Sequence, residues 1–366
     1  PLASLLHRQR SVAQALNTSE LSPRAGPPGD VVRAIELDSA AELAMVLHNL
    51  TTDTQTAVIH VQLGPSTFDC TGPDWPFDFA RVRASVVIEG QTGSILSGGG
   101  ERTLFHVSVP DANLTLRDLE VRDARALLCG ASGVEPGCSG GMVLLSDGRL
   151  QLENVRFVGG DLYDDSHALD ARGGAVAVHG GTARIMSCQF VSLYAGEGGA
   201  IYVRGGHVTV TGSAFYDNAA MVEGGALLIH GGDVRVQSSD FSGCRSERGG
   251  AVVVHALDAT AARPQFDSCH FENNSAVRNG GALLTTGKGS SVAIEASIFL
   301  RNRASGQGSA LDINSDYDSD QRPVLRKNTF VANIGLSSVR YANFLEWICP
   351  AGQCAPELSP AMHYPS

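Results

Sequence analysis

The sequence predicts an all-β protein, a right-handed single-stranded parallel β-helix with a short N-terminal capping helix. Three observations predict it. Gly-Gly-Ala recurs at Gly173, Gly198, Gly224, Gly249 and Gly280, and decays to Gly-Ser-Ala at Gly308. These starts are 25, 26, 25, 31 and 28 residues apart, a unit too short to bury an apolar face alone, so successive units must stack. Each unit also carries alternating aliphatic residues that run into a Phe, which is strand rather than helix periodicity.

The elements follow in order along the chain. Segment 1–54 contains the capping helix, Ser39 to Leu50, with Ser39 as N-cap, Glu42 three residues on and an apolar face. A helix over the first coil covers a sheet edge that would otherwise be unpaired. The β-helix is expected over 55–340, first with strands at Ala57 to Leu63, Ser85 to Glu89 and Asn113 to Val121, then with clear repeats over 172–333. In each repeat the first strand turns inward Val176, Ile201, Leu227, Val252, Leu283 or Leu311, and two residues later Val178, Val203, Ile229, Val254, Thr285 or Ile313. The second strand does the same with pairs such as Val208 and Val210, or Val234 and Val236, before reaching Phe157, Phe190, Phe215, Phe241, Phe271, Phe299 or Phe330. Three residues after the Phe stand Asn218, Asn274, Asn302 and Asn333, with Cys244 replacing Asn once. Asn at a stacked turn tolerates the left-handed region and can bond the neighbouring coil's backbone, so a structural ladder is expected. Residues 341–366 read as a C-terminal cap or a linker to following regions.

Gly224-Gly225-Ala226 leading to Phe241, and Gly249-Gly250-Ala251 leading to Phe271 and Asn274, resemble the chlamydial polymorphic outer-membrane protein repeat, which also occurs in surface proteins of green algae and other protists. The resemblance covers roughly the second half of the chain, while the first half resembles the opening coils of pectin-lyase-like proteins. It implies an extracellular module of a larger surface protein. The ending Trp347-Ile348-Cys349-Pro350 resembles the close of the repeat region in the algal proteins, where a cysteine-rich or membrane-anchoring part follows.

Composition narrows the function classes. A net charge of −11 argues against nucleic acid, which needs a basic stripe. No apolar run approaches the ~20 residues of a membrane helix. The start, Pro1-Leu2-Ala3, carries no signal peptide and no initiator Met, so the chain reads as a mature or excised segment. Cys129 and Cys138 flank one short loop, and Cys349 and Cys354 another, so both pairs are expected to be local disulfides; Cys70 is an alternative partner in the first. Cys188 and Cys269 are three coils, roughly 14 Å, apart and read as buried thiols. Sequons at Asn17, Asn49, Asn113 and Asn273 fit a secreted, glycosylated protein.

Three groups of residues are candidates for chemistry or binding. Asp312, Asn314, Asp316, Asp318 and Asp320 alternate oxygen ligands as a Ca²⁺ loop does, but Tyr317 stands where an EF-hand needs Gly and Pro323 where it needs Glu. Ca²⁺ at this loop is therefore a weak candidate, no other cofactor is implied, and Asp161, Asp164, Asp165 and Asp170 form a weaker acidic cluster. Asp164-Asp165, His179-Gly180 and Arg184-Ile185 share residue types with polygalacturonases, without the Asn-Thr-Asp element or the spacing, so catalysis is not expected. The third group is an outward stripe on the first strand, Tyr202, Leu228, Val253 and Leu284, beside His179, Arg204, His230 and His255. Four consecutive large apolar residues pointing outward predict a face covered by a partner or by another part of the chain. Arg204 within the His file argues against a metal there.

The expected function is a non-catalytic structural or adhesive module contacting other surface proteins or glycans. The alternative is a polysaccharide lyase or hydrolase.

Overall fold

The computed structural model describes residues 32–53, 56–100, 103–123, 140–159, 172–256, 263–287, 290–314 and 323–341. Short strands wind into a solenoid in which every paired strand is parallel to its neighbour. One coil shows the plan. Leu227–Ile229 belongs to a sheet here termed IV, Asp233–Gln237 to sheet I, Asp240–Ser242 to sheet II and Arg245–Ser246 to sheet III, and Val252–His255 re-enters sheet IV. Among the described residues, sheet I has eleven strands, sheets II and IV ten each, and sheet III five.

The helix forms where expected, at Ala40–Leu50, with Ser39 as an extended N-cap whose side chain accepts from Glu42 N. Glu42 reaches back to accept from Asp38 N at 3.0 Å, which closes the start of the helix from both sides. Leu43, Val46, Leu47 and Leu50 enter the same core that the coils enclose. A strand not foreseen, Val32–Leu37, precedes the helix and pairs with Val58–Leu63, so sheet I begins before the helix rather than near residue 55. The stretch expected as one strand from Asn113 to Val121 is two, Asn113–Arg117 and Glu120–Arg122, bent at Asp118 with φ of 53°.

Inside, the aliphatic columns are buried as their periodicity requires, and the Phe residues form a stack. From Phe157 to Phe330 successive ring centroids lie 5.1, 4.7, 4.6, 4.9, 4.7 and 4.9 Å apart, each pair close to parallel. The Asn ladder is present. Asn274 donates to Phe241 O at 2.9 Å while its Oδ1 accepts from Cys244 N at 3.0 Å, and Asn302 does the same one coil on. The left-handed residue is the one before each ladder position, as at Asp217, Asn273, Arg301 and Ala332, and not the ladder Asn itself. A second ladder runs through Cys188, Ser213 and Ser239, each backbone N–H bonding the next hydroxyl where one exists, at 3.1 and 3.2 Å.

The Gly-Gly-Ala sentence has a separate reason for each letter. The first Gly adopts positive φ, 59° to 69° over the six copies. The second lies so close to the next coil that a Cβ at Gly225 or Gly250 would sit 2.2 or 2.1 Å from a carbonyl oxygen there, Gly250 O or Gly281 O respectively. Ala200, Ala226, Ala251, Ala282 and Ala310 then point into the core.

Candidate functional site

The turn from sheet III into sheet IV curls over the outer face of sheet IV, and this determines what that face can do. Tyr202, Leu228, Val253 and Leu284 are buried and form a small apolar cluster with Ala177, separate from the main core. A Cβ on Gly249 would meet Val253 Cγ2 at 2.3 Å, one on Gly280 would meet Leu284 Cβ at 2.7 Å, and the Arg172 guanidinium lies 5.3 Å above the Tyr202 ring. The stripe expected as a docking face is thus a second core roofed by the repeat's own turns. Its apolar character follows from that roof, and it presents no open surface to a partner.

Beside this roof the polar groups converge. Glu223, at the end of Ala219–Glu223, has a side chain 3% exposed; its Oε2 lies 3.3 Å from His255 Nδ1 and its Oε1 3.0 Å from Arg248 Nη2. His230 is buried, hydrogen-bonded through Nδ1 to the Tyr202 hydroxyl at 3.1 Å, and its ring meets His255 edge to face at 5.5 Å. Burial, followed by the charge of His255, pushes His230 down to about 4, so it is neutral at physiological pH. Burial alone would raise the Glu223 carboxyl, but the His255 hydrogen bond and the Arg248 charge hold it below its usual range. That same hydrogen bond raises His255. His179 packs edge to face on Tyr202 at 6.1 Å, and Arg204 is exposed, its charge, with that of Arg172, adding to the lowering of His230.

Glu223 and Arg248 escaped the reading of the sequence although a signal existed. The residue before each glycine pair or its decayed copy is polar: Arg172, Glu197, Glu223, Arg248, Asn279 and Gln307. These residues pair between coils, Arg172 with Glu197 at 2.9 Å and Arg248 with Glu223 at 3.0 Å.

Two further polar sets lie on the same sheet. In the irregular coils, Ser146 Oγ and His106 Nε2 are 2.9 Å apart and His106 Nδ1 lies 3.4 Å from Asp78 Oδ2, an array of the serine-hydrolase type. The N–H groups of Ser146 and Asp147 both donate to Val107 O, and that of Gly148 to Asp147 Oδ1, so the adjacent backbone has no donor free to stabilise an oxyanion. The other set is Asp312, fully buried, with Arg340 3.8 Å away and no hydrogen bond to either oxygen among the described residues. Burial raises its carboxyl to about 6. A guanidinium partner and a covered carboxylate do not suit a Ca²⁺ ligand; Asn314 is exposed, and Asp316, Asp318 and Asp320 lie outside the described residues.

Cys129, Cys138, Cys349, Cys354, Asn17, Asp161, Asp164, Asp165 and Asp170 also lie outside the described residues. Cys188 and Cys269 are buried free thiols, as are Cys70 and Cys244, with burial raising Cys188 to about 11 and the others to about 12. Among the sequons, Asn49 and Asn273 are exposed, whereas Asn113 is half-buried and donates to Ser85 Oγ at 3.0 Å.

The fold defines a parallel β-solenoid protein. The right-handed β-helix region family matches residues 140–339, more than half of the sequence, and the chain belongs to that family. No curated protein and no solved structure matches the chain.

Proposed function

We propose that this chain is a non-catalytic structural or adhesive module of a larger cell-surface protein, of the polymorphic outer-membrane protein type, that contacts other extracellular proteins or glycans. One observation carries the reading: the outer face of sheet II turns large apolar side chains to solvent on rigid ladder positions. Tyr216, Ile298 and Val331 are 41%, 44% and 44% exposed. The same sheet also carries charged groups, the Arg156–Glu120 pair on earlier coils than Tyr216 and the Arg301–Glu272 pair beside Ile298. Apolar groups framed by charge on a flat, stiff surface suit protein contact, and a solenoid presents such a surface over its whole length. Exposed sequons at Asn49 and Asn273 support an extracellular setting.

The test is surface labelling together with binding. In the cells that make it, the full-length protein should be labelled by a membrane-impermeant reagent. The purified chain should bind those cells, and an Ile298→Asp, Val331→Asp variant should bind at least about tenfold more weakly with an unchanged fold. Cleavage of an acidic polysaccharide by the purified chain would instead favour a lyase or hydrolase, and equal binding by the variant would remove sheet II from the contact.

A further inference from the structure

We propose that Glu223, His230 and His255 form a Zn²⁺ site on the outer face of the solenoid, with a fourth position open to water or to a group from a partner. The three side chains each offer one ligand atom, and these atoms all lie within 4.8 Å of one another. Two imidazoles and one carboxylate are the donor set of an open zinc site, and a single oxygen donor makes the set a poor one for Ca²⁺.

The surroundings are built as such a site needs. Glu223 is almost wholly buried, its Oε1 already paired with the Arg248 guanidinium and its Oε2 facing His255, so Oε2 is the oxygen a metal would take. Arg248, 3.0 Å from Oε1, orients the carboxylate and leaves Oε2 directed at His255. The Tyr202 hydroxyl fixes the His230 ring by the 3.1 Å bond to Nδ1. Such outer contacts set the orientation of metal ligands. The backbone holds the ligands in turn: Glu223 bridges to Arg248, His230 N donates to Val203 O at 2.8 Å, and His255 pairs with Thr286. His255, 33% exposed at its side chain, gives the metal a route in from solvent. The ligands come from three consecutive repeats, those opening at Gly198, Gly224 and Gly249, so the ion would clamp coils that otherwise meet through ladder bonds and packing.

The full chain should take up one equivalent of Zn²⁺ in competition with a chromogenic chelator, and Co²⁺ in its place should give the intense visible absorption of a four-coordinate site. His255→Ala and Glu223→Gln should each weaken Zn²⁺ at least about tenfold, with His230→Ala doing the same if it folds. His207→Ala, whose imidazole is 73% exposed on sheet I, is the control and should bind as the parent does. Zn²⁺ should raise the unfolding midpoint of the parent and the control, and leave Glu223→Gln unmoved. His255→Ala and Glu223→Gln alter a partly exposed group and an isosteric one, so they decide the matter even if the buried His230 variant does not fold. Zn²⁺ uptake equal in the parent, Glu223→Gln and His255→Ala, or no uptake by the parent beyond weak multi-site binding, overturns the assignment.

Discussion

Asp312 stands in a column that is otherwise apolar above it: it pairs in register with Leu284, which pairs with Val253 and, through it, Leu228. An acid fits there only because Arg340 follows in the next strand, at 3.8 Å. That partner is too distant to offset burial, so the folded-state pKa is raised from 3.8 to about 6. The folded protein therefore binds this proton more tightly than the unfolded chain does. The stabilising contribution is complete below about pH 4 and is lost as pH rises through about 6. Asp312→Asn should accordingly stabilise the protein by about 1–2 kcal/mol at pH 7.5 and by nothing measurable at pH 4. Urea unfolding at the two pH values reads the difference, and an equal gain at both would mean that the carboxyl is not held protonated by burial. The ladder residues follow the opposite rule, because every group is satisfied: Asn274 and Asn302 each donate to a Phe carbonyl and accept from a backbone N–H.

At the scale of the element, the second glycine of each Gly-Gly-Ala is set by contact between coils. A Cβ at Gly250 would approach Gly281 O to 2.1 Å and Ser275 C and O to 2.7 Å, all backbone, so no rotamer change relieves it. Gly250→Ala should cost about 2–4 kcal/mol in chemical unfolding. A Cβ on Gly72 would meet nothing within 4 Å, and Gly72→Ala should be neutral or slightly stabilising; similar losses for both would show that stacking distance is not what excludes a side chain. This geometry also explains how much of the fold and site was legible in the sequence. The aliphatic, Phe and Asn columns recur at fixed offsets from the glycines, so repetition exposes them, and Ser39 with Glu42 marks the helix by local chemistry alone. Sheet III was not legible because its strands are as short as Arg245–Ser246 and carry small residues, such as Ala276 and Ala304, instead of an aliphatic alternation. Without sheet III the outward stripe looks exposed; with the turn that follows it in place, the stripe is a roofed core. The Glu223 site was missed for the same reason, since only the turn brings the residue before a glycine pair beside His230, just past the end of the next strand, and His255, one coil further on. Val32–Leu37 was missed because it belongs to no repeat and lies before the helix read as the start.

At the scale of the whole molecule, a solenoid of nearest-neighbour contacts should tolerate removal of one entire coil and reject removal of a fraction of one. Residues 224–248 are such a coil. Their deletion joins Glu223 to Gly249 and restores Glu-Gly-Gly-Ala at the junction, with Phe215 followed in the stack by Phe271 and Tyr202 followed in its column by Val253. Every inward position keeps an inward neighbour. The shortened chain should fold with the same β-rich circular dichroism, be shorter by about 4.8 Å in solution scattering and lose about one coil's share of unfolding enthalpy. It should also lose Zn²⁺ binding, because His230 is gone while Glu223 and His255 remain. Deleting 225–248 instead leaves one residue too many at the junction. That slip turns the Val252 and Val254 positions outward and the Val253 position inward, and sends the left-handed glycine into the wrong place. This second chain should fail to fold or aggregate. If the two deletions behave alike, whether both fold or both fail, coil register is not the principle that organises the molecule.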